Sequence, residues 1–224
     1  MVYTVFLIVH IIAGTIGLLT GPMSIIVKKG GWAHRKSGIV FFYAMLVVAS
    51  TALVLGVLHR IPFLLAVGIF SAYMNITGYR VLYQKQHGLL HQTGRFDYIV
   101  SSIMLIASFY FLFYGIYVLF QKDPFGLVFV FFTQGSLRML WQDWKLFKQT
   151  DIQPTTWLKI HLTRMIGTCI AAYTAFSVVN SSSRLSLIGW FLPAAIGTPI
   201  LIYWLRKLKA RKPKPVAPIT RVLA

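Results

Sequence analysis

Acidic residues are almost absent from this 224-residue chain, which has no glutamate and only four aspartates. Neither an HExxH zinc motif nor a GxSxG nucleophile motif occurs. The single cysteine, Cys169, excludes an intrachain disulfide. The chain therefore lacks the common hydrolase signatures, and no catalytic residue can be named from its motifs.

Charged residues of both signs are also few, at 12% of the chain, whereas 57% of the residues are hydrophobic. A soluble domain carries about 25% charged residues. The mean hydropathy is +0.71. Because one helical crossing needs about 20 apolar residues, this length allows several crossings and leaves no room for a separate soluble domain. The composition predicts a multi-pass membrane protein in contact with the lipid bilayer.

Seven apolar runs predict an all-α, polytopic transmembrane bundle of about seven spans. The fifth run carries Gln134 and Arg138, and the seventh is interrupted by Pro193, Gly197 and Pro199. We predict a helical membrane domain over 1–205 and a basic, disordered tail over 206–224. The predicted spans are 3–27, 38–58, 61–83, 98–120, 125–142, 157–179 and 186–205.

The distribution of cations predicts the orientation. With these spans, 19 of the 22 Lys and Arg residues fall on one side and three on the other. Cations close to span ends are retained in the cytoplasm, so we predict an outside N-terminus and a cytoplasmic C-terminus. Topology thus explains much of the net charge of +18, which argues against nucleic-acid binding. The basic tail is expected to lie against anionic lipids.

Small residues indicate which helix faces pack together. Gly14, Gly17 and Gly21 share one stripe of the first span with His10, which lies one turn before them. The third and sixth spans carry comparable stripes of small and polar residues. We expect spans one, three and six to line the bundle interior, and the Phe-rich runs of spans four and five to face lipid in part.

Polar residues gather near the predicted cytoplasmic ends of the spans. One interpretation makes Arg80, Arg138 and Arg164 topology anchors, with Asp97 and Asp143 as their ion partners. The other is a single cytoplasm-facing pocket, because ionisable groups at membrane depth tend to be functional. Its cations favour an anionic ligand such as a lipid headgroup, a quinone reduced at this face or haem propionates. The candidates are His34, Arg35, Arg80, Asp97, Arg138, Asp143, His161 and Arg164, with His10 and Asn75 deeper in the spans.

Haem b is one specific hypothesis for this pocket. Two histidine ligands must lie at the same depth on neighbouring helices, with cations close by for the propionates. His34 and His161 meet this condition, because each is close to a cytoplasmic span end and has Arg35 or Arg164 nearby. Together they predict a b-type electron-transfer protein.

Two further functions remain open from the residues. His34, His161, Asp97 and Asp143 are ligand types that zinc or iron accepts, as in a membrane hydrolase, although their spacing matches no compact metal motif. Alternatively, the interrupted seventh span, LPAAIGTP, and Asn75 resemble the broken helices and buried polar groups of transporters and small-ligand binders.

Two segments resemble an uncharacterised bacterial membrane family, domain of unknown function 2306. They are HIIAGTIGLLTGPMSIIVKKGGWAHRKSGIVFFYAMLV and HLTRMIGTCIAAYTAFSVVN. The resemblance covers the first two spans well, the sixth partly and the middle weakly. It implies a location in the bacterial inner membrane and no particular chemistry. The matching residues are His10, Gly21, Pro22, His34, Arg35, Gly38, His161, Arg164 and Met165.

Overall fold

The computed structural model describes residues 2–86, 93–148, 154–181 and 187–210. Within them the chain forms seven α-helices and no strand. Helices satisfy backbone hydrogen bonds internally, as a lipid environment demands. The helices are α1 (Val2–Ile26), α2 (Trp32–Leu58), α3 (Pro62–Gln86), α4 (Arg95–Phe120), α5 (Gly126–Phe147), α6 (Pro154–Val179) and α7 (Leu187–Lys209).

Six of these helices are long and apolar enough to cross a membrane, when the described residues are judged by length and composition. The exception is α5, whose second half carries Arg138, Asp143 and Lys145. The chain is therefore an all-α, multi-pass membrane protein.

Contacts at both ends of α5 show that it runs the full height of the bundle. At one end Gly126 of α5 packs against Gly115 of α4. At the other end Phe147 of α5 meets Tyr98 of α4 with 5.2 Å between ring centroids. Successive helices thus alternate in direction, and the end containing the turn 27–31 and the last turn of α7 is called the basic end below.

The helices α3 and α6 occupy the centre. The helix α3 contacts α2, α4, α5 and α6, and the helix α6 contacts α1, α3 and α7. The expectation that the first span lines the interior is wrong, because α1 contacts only α2 and α6 among the described helices. Its small-residue stripe does pack: a Cβ on Gly17 would lie 3.1 Å from Met45 Sδ, and one on Gly21 2.9 Å from Cys169 Sγ. A single stripe suffices for a peripheral helix.

Several observed helix boundaries differ from the predicted ones, and those of α2 and α7 bear on the site and the tail. The helix α2 begins at Trp32, so His34 and Arg35 lie on its first turn and the connecting turn is short. The helix α7 continues to Lys209, four residues beyond the predicted domain boundary at 205. The remainder of the predicted tail, 211–224, lies outside the described residues.

The seventh span is one continuous helix with Pro193 and Pro199 inside it. The predicted interruption is therefore wrong. Proline removes a hydrogen bond but does not end a membrane helix, because water is not available to compete for the freed carbonyl groups and local adjustment satisfies them again. The continuous α7 helix therefore does not support the transporter hypothesis.

Close packing of α4 on α5 yields a prediction. A Cβ on Gly115 would lie 2.9 Å from both the Gly126 carbonyl oxygen and Phe129 Cβ. Gly115→Val should force the helices apart and lower the free energy of unfolding by about 1–3 kcal/mol. Detergent-solubilised protein titrated with SDS would show this. The control is Gly135→Ala, where the added methyl meets only Phe70 at 3.5 Å. Equal stability of both variants would contradict the prediction.

Candidate functional site at the basic end

A buried ion pair joins α5 to α6 and is the deeper of two charged networks. Arg164 Nη2 donates to Asp143 Oδ1, and Tyr73 of α3 donates its hydroxyl to the other carboxylate oxygen. Both charged side chains are only 4% exposed. The Arg164 guanidinium also lies over the Tyr73 ring at 5.6 Å. Three helices are thus held together by one carboxylate.

The second network, nearer to solvent, links α3 to the first turn of α4. Arg80 binds Asp97 in a bidentate manner, with Nε 2.5 Å from Oδ1 and Nη2 2.9 Å from Oδ2. Asp97 Oδ2 also accepts from the Gly94 N–H at 2.8 Å. A carboxylate at a helix N-terminus is further stabilised by the helix dipole. The Arg80 side chain is 26% exposed, so water screens this pair more than the deeper one.

A small cavity separates the two networks. All four charged residues line it together with Thr77, and Leu146 and Ile160 complete its wall. About 20 Å³ is open to the centre of a water molecule. One ordered water needs roughly 10–15 Å³ on this measure. The space fits one or two waters, and neither this cavity nor the apolar one between α3, α4 and α5 is lined by a histidine.

Two imidazoles at the basic end are held in the same way. His34 Nδ1 is 2.9 Å from the Ser24 carbonyl oxygen of α1, and His161 Nδ1 is 2.8 Å from the Gly78 carbonyl oxygen of α3. A carbonyl only accepts, so each Nδ1 must carry a proton. In the neutral ring, Nε2 then holds the lone pair. This tautomer is the one that a metal-binding histidine with a second-shell carbonyl adopts.

The hydrogen bond from His161 to the Gly78 carbonyl oxygen depends on the absence of a side chain at Gly78. A Cβ on Gly78 would lie 2.8 Å from Arg164 Cβ and 3.2 Å from Met165 Sδ. Only glycine lets α3 approach α6 so closely, and this approach brings the Gly78 carbonyl within reach of His161. The packing of α3 on α6 therefore sets the orientation of the ring.

His34, His161 and Lys29 lie within electrostatic range of one another at the basic end and are called the histidine cluster below. They come from α2, α6 and the turn after α1. Lys29 Nζ donates to the carbonyl oxygens of Ser24 and Ile25, at 2.7 and 2.5 Å. The two histidines that the sequence pairs are therefore within electrostatic range of each other, and Lys29 is the cation within range of both.

The other predicted residues lie apart from this cluster. Arg164 and Asp143 belong to the buried ion pair, and Arg80 and Asp97 form the outer one. Arg35 is exposed and donates to the Gly30 carbonyl oxygen at 3.0 Å, while Arg138 is exposed on α5. Of the residues predicted to form a single pocket, Arg80, Asp97, Asp143 and Arg164 line one cavity, and neither His34 nor His161 lines it.

Two deeper candidates also have their own surroundings. His10 Nδ1 lies 2.8 Å from Thr51 Oγ1, towards the opposite end of α1 and α2. Asn75 is fully buried and donates to the Phe42 carbonyl oxygen at 2.8 Å. Its Oδ1 has no hydrogen-bond partner among the described residues. His10 thus links α1 to α2, and Asn75 links α3 to α2.

Metal-ligand clusters of the usual kind do not occur in the described part of the chain, where no three His, Cys, Asp or Glu side chains converge. The His34 and His161 pair supplies two ligands. A metal-dependent hydrolase would also need Asp97 and Asp143 as ligands, and both are already bound to arginines.

Tyr73 and Lys29 are not among the site candidates predicted from the sequence. Tyr73 lies on the α3 face of Thr77 and Arg80, at intervals of four and three residues, and that helical spacing could have identified it. Lys29 carried no comparable signal, because its position depends on how the turn after α1 folds.

No family model, no curated protein and no solved structure matches this chain. The resemblance to domain of unknown function 2306 stays a prediction.

Proposed function

We propose that this protein binds one transition-metal centre at the basic end, with Nε2 of His34 and Nε2 of His161 as its protein ligands. The observation that carries the proposal is the shared anchoring of both rings through Nδ1 to helix carbonyl groups. Imidazole suits iron, copper, nickel and zinc, and a carbonyl behind the ring fixes the ligating nitrogen.

The bound metal could take two forms that use the same histidine ligands. One is haem b, whose iron would be held by His34 and His161, with Lys29 as the cation for a propionate. The other is a free ion completed by water. The ion needs no slot between helices, whereas haem does.

A visible absorption spectrum distinguishes the two forms. Protein prepared with haem supplied during expression should be measured oxidised and then reduced with dithionite. A Soret band that sharpens on reduction, at one haem per chain, identifies haem iron. A featureless spectrum together with one bound metal atom per chain identifies the free ion. A spectrum without haem and a preparation without bound metal would refute the proposal.

The proposal places all seven helices across the bacterial cytoplasmic membrane, with the basic end in the cytoplasm. This orientation follows from the 19 cations on one side against three on the other. The α5 helix can cross despite its polarity because Asp143 is paired with Arg164 inside the bundle. Contact of the tail with anionic lipids belongs to the same proposal.

Cysteine labelling tests the orientation. In a Cys169→Ala background, Gln121→Cys at the α4–α5 turn should react with a membrane-impermeant maleimide on intact cells. Lys36→Cys on the first turns of α2 should react only after the cells are permeabilised. Both positions are exposed. The reverse pattern would contradict the orientation, and labelling of both on intact cells would contradict a seven-span arrangement.

A further inference from the structure

The basic end carries a second cationic cluster, on the side of the bundle where α7 lies. Lys29 Nζ lies 4.3 Å from the centroid of the Trp204 ring, and Lys207 Nζ lies 5.0 Å from it. Cations over a tryptophan face gain from the ring quadrupole, but such a contact does not neutralise their charge. Two ammonium groups thus lie over one tryptophan ring at the basic end.

Lys29 has no ion pair with an acidic residue in the part of the chain that the structure describes. Two of the four aspartates are held by Arg80 and Arg164, and Asp123 lies at the opposite end, where its carboxylate accepts from the Phe125 N–H. Burial away from water lowers the pKa of Lys29 to about 8. An anion placed against this ammonium would offset that cost.

The helices α1 and α7 both pack on α6 and adjoin the two lysines, and the gap between them is called the cleft below. The helix α6 contacts both α1 and α7, but α1 and α7 do not contact one another within the described residues. Tyr173 of α6 donates to the Leu18 carbonyl oxygen of α1 at 2.8 Å, and Gly197 of α7 packs on Ile170 of α6. The floor of the cleft is therefore α6, and its two walls are α1 and α7.

Both walls of the cleft are apolar and mostly unburied. Among the described residues, α1 buries only Ala13, Gly17 and Gly21, and α7 buries only Gly189. An acyl chain can lie along such walls, whereas a soluble ligand gains nothing from them. The cleft therefore combines apolar walls, which suit an acyl chain, with two cations at one end, which suit an anionic headgroup.

We propose that the cleft between α1 and α7 binds one anionic phospholipid, whose phosphate is held by Lys29 and Lys207 beside Trp204. Basic pockets between membrane helices on the cytoplasmic side bind anionic headgroups through the same chemistry. The site is separate from the proposed metal ligands, although Lys29 and His34 share the Ser24 carbonyl oxygen.

Native mass spectrometry of the delipidated full-length protein tests this site with two probes, phosphatidylglycerol and phosphatidylcholine of identical chains. We expect the first phosphatidylglycerol to bind about 10- to 30-fold more tightly than phosphatidylcholine, since each cation near the surface contributes about fivefold. The double variant Lys29→Gln/Lys207→Gln should lose most of that preference, and Lys29→Arg/Lys207→Arg should keep it.

The chain offers a matched control on α5. Lys145 and Lys148 lie over Trp141 and Trp144 at 3.5 and 4.4 Å, at the same end of the bundle but away from the cleft. Lys145→Gln/Lys148→Gln removes the same charge and should retain the preference. An equal loss in both double variants would mean a general surface effect and overturn the proposal, as would an unchanged preference in Lys29→Gln/Lys207→Gln. Because lipid binding is read separately from metal content, failure of one proposal is distinguishable from failure of the other.

Discussion

Arg164→Met is expected to lower the free energy of unfolding by about 3–5 kcal/mol. The substitution leaves the Asp143 carboxylate buried without a cation, and an uncompensated charge in a low-dielectric interior has this cost. Only the Tyr73 hydroxyl would remain as its partner. The measurement is SDS-induced unfolding in mixed micelles, followed by tryptophan fluorescence.

Two companion variants make this prediction specific. Asp143→Asn in the Arg164→Met background removes the stranded charge and should restore most of the stability. Arg80→Met should cost less than Arg164→Met, because the Arg80 side chain is 26% exposed and Asp97 keeps the Gly94 N–H. If Arg80→Met and Arg164→Met were equally destabilising, the assignment of the deeper pair as the principal tie between helices would be wrong.

Replacing either histidine of the pair should largely abolish metal binding. His34→Ala or His161→Ala each removes one of two protein ligands, and we expect at least about a 100-fold loss of affinity, since even outer-sphere changes cost 10–100-fold. Metal retained after dialysis against a weak chelator, measured by elemental analysis, reports the loss.

His10→Ala is the control for these variants. It removes a histidine that is also bound through Nδ1, but at the other end of α1, so metal content should not change. The folded state of all three variants is checked by their SDS unfolding midpoints. If His10→Ala lowered metal content as far as His161→Ala does, the bound metal would be adventitious.

Periodicity and charge predicted much of this fold because both act locally. Long apolar runs predicted seven helices, and both suggested ion partners, Asp97 and Asp143, are bound to arginines. The sequence could not say which arginine each aspartate takes. That depends on the rotation of α3, α5 and α6 about their axes, which is set by packing between helices.

The position of α1 shows a second limit. A stripe of glycines predicts close packing but not how many neighbours the helix has. Gly17 and Gly21 pack on α2 and α6, while the opposite face of α1 is exposed. The surroundings of His161 have a similar origin, because Gly78 brings α3 against α6 and its carbonyl oxygen within hydrogen-bonding distance of the ring.

The central claim is that His34 and His161 hold one metal atom, and the metal-to-protein ratio of the wild-type protein tests it most directly. The protein should be purified in mild detergent without an affinity metal resin and analysed for iron, copper, nickel and zinc. We predict one transition-metal atom per chain, which the variant lacking both histidines does not retain. A wild-type protein that is folded but free of these metals, after growth in metal- and haem-replete medium, would contradict the claim.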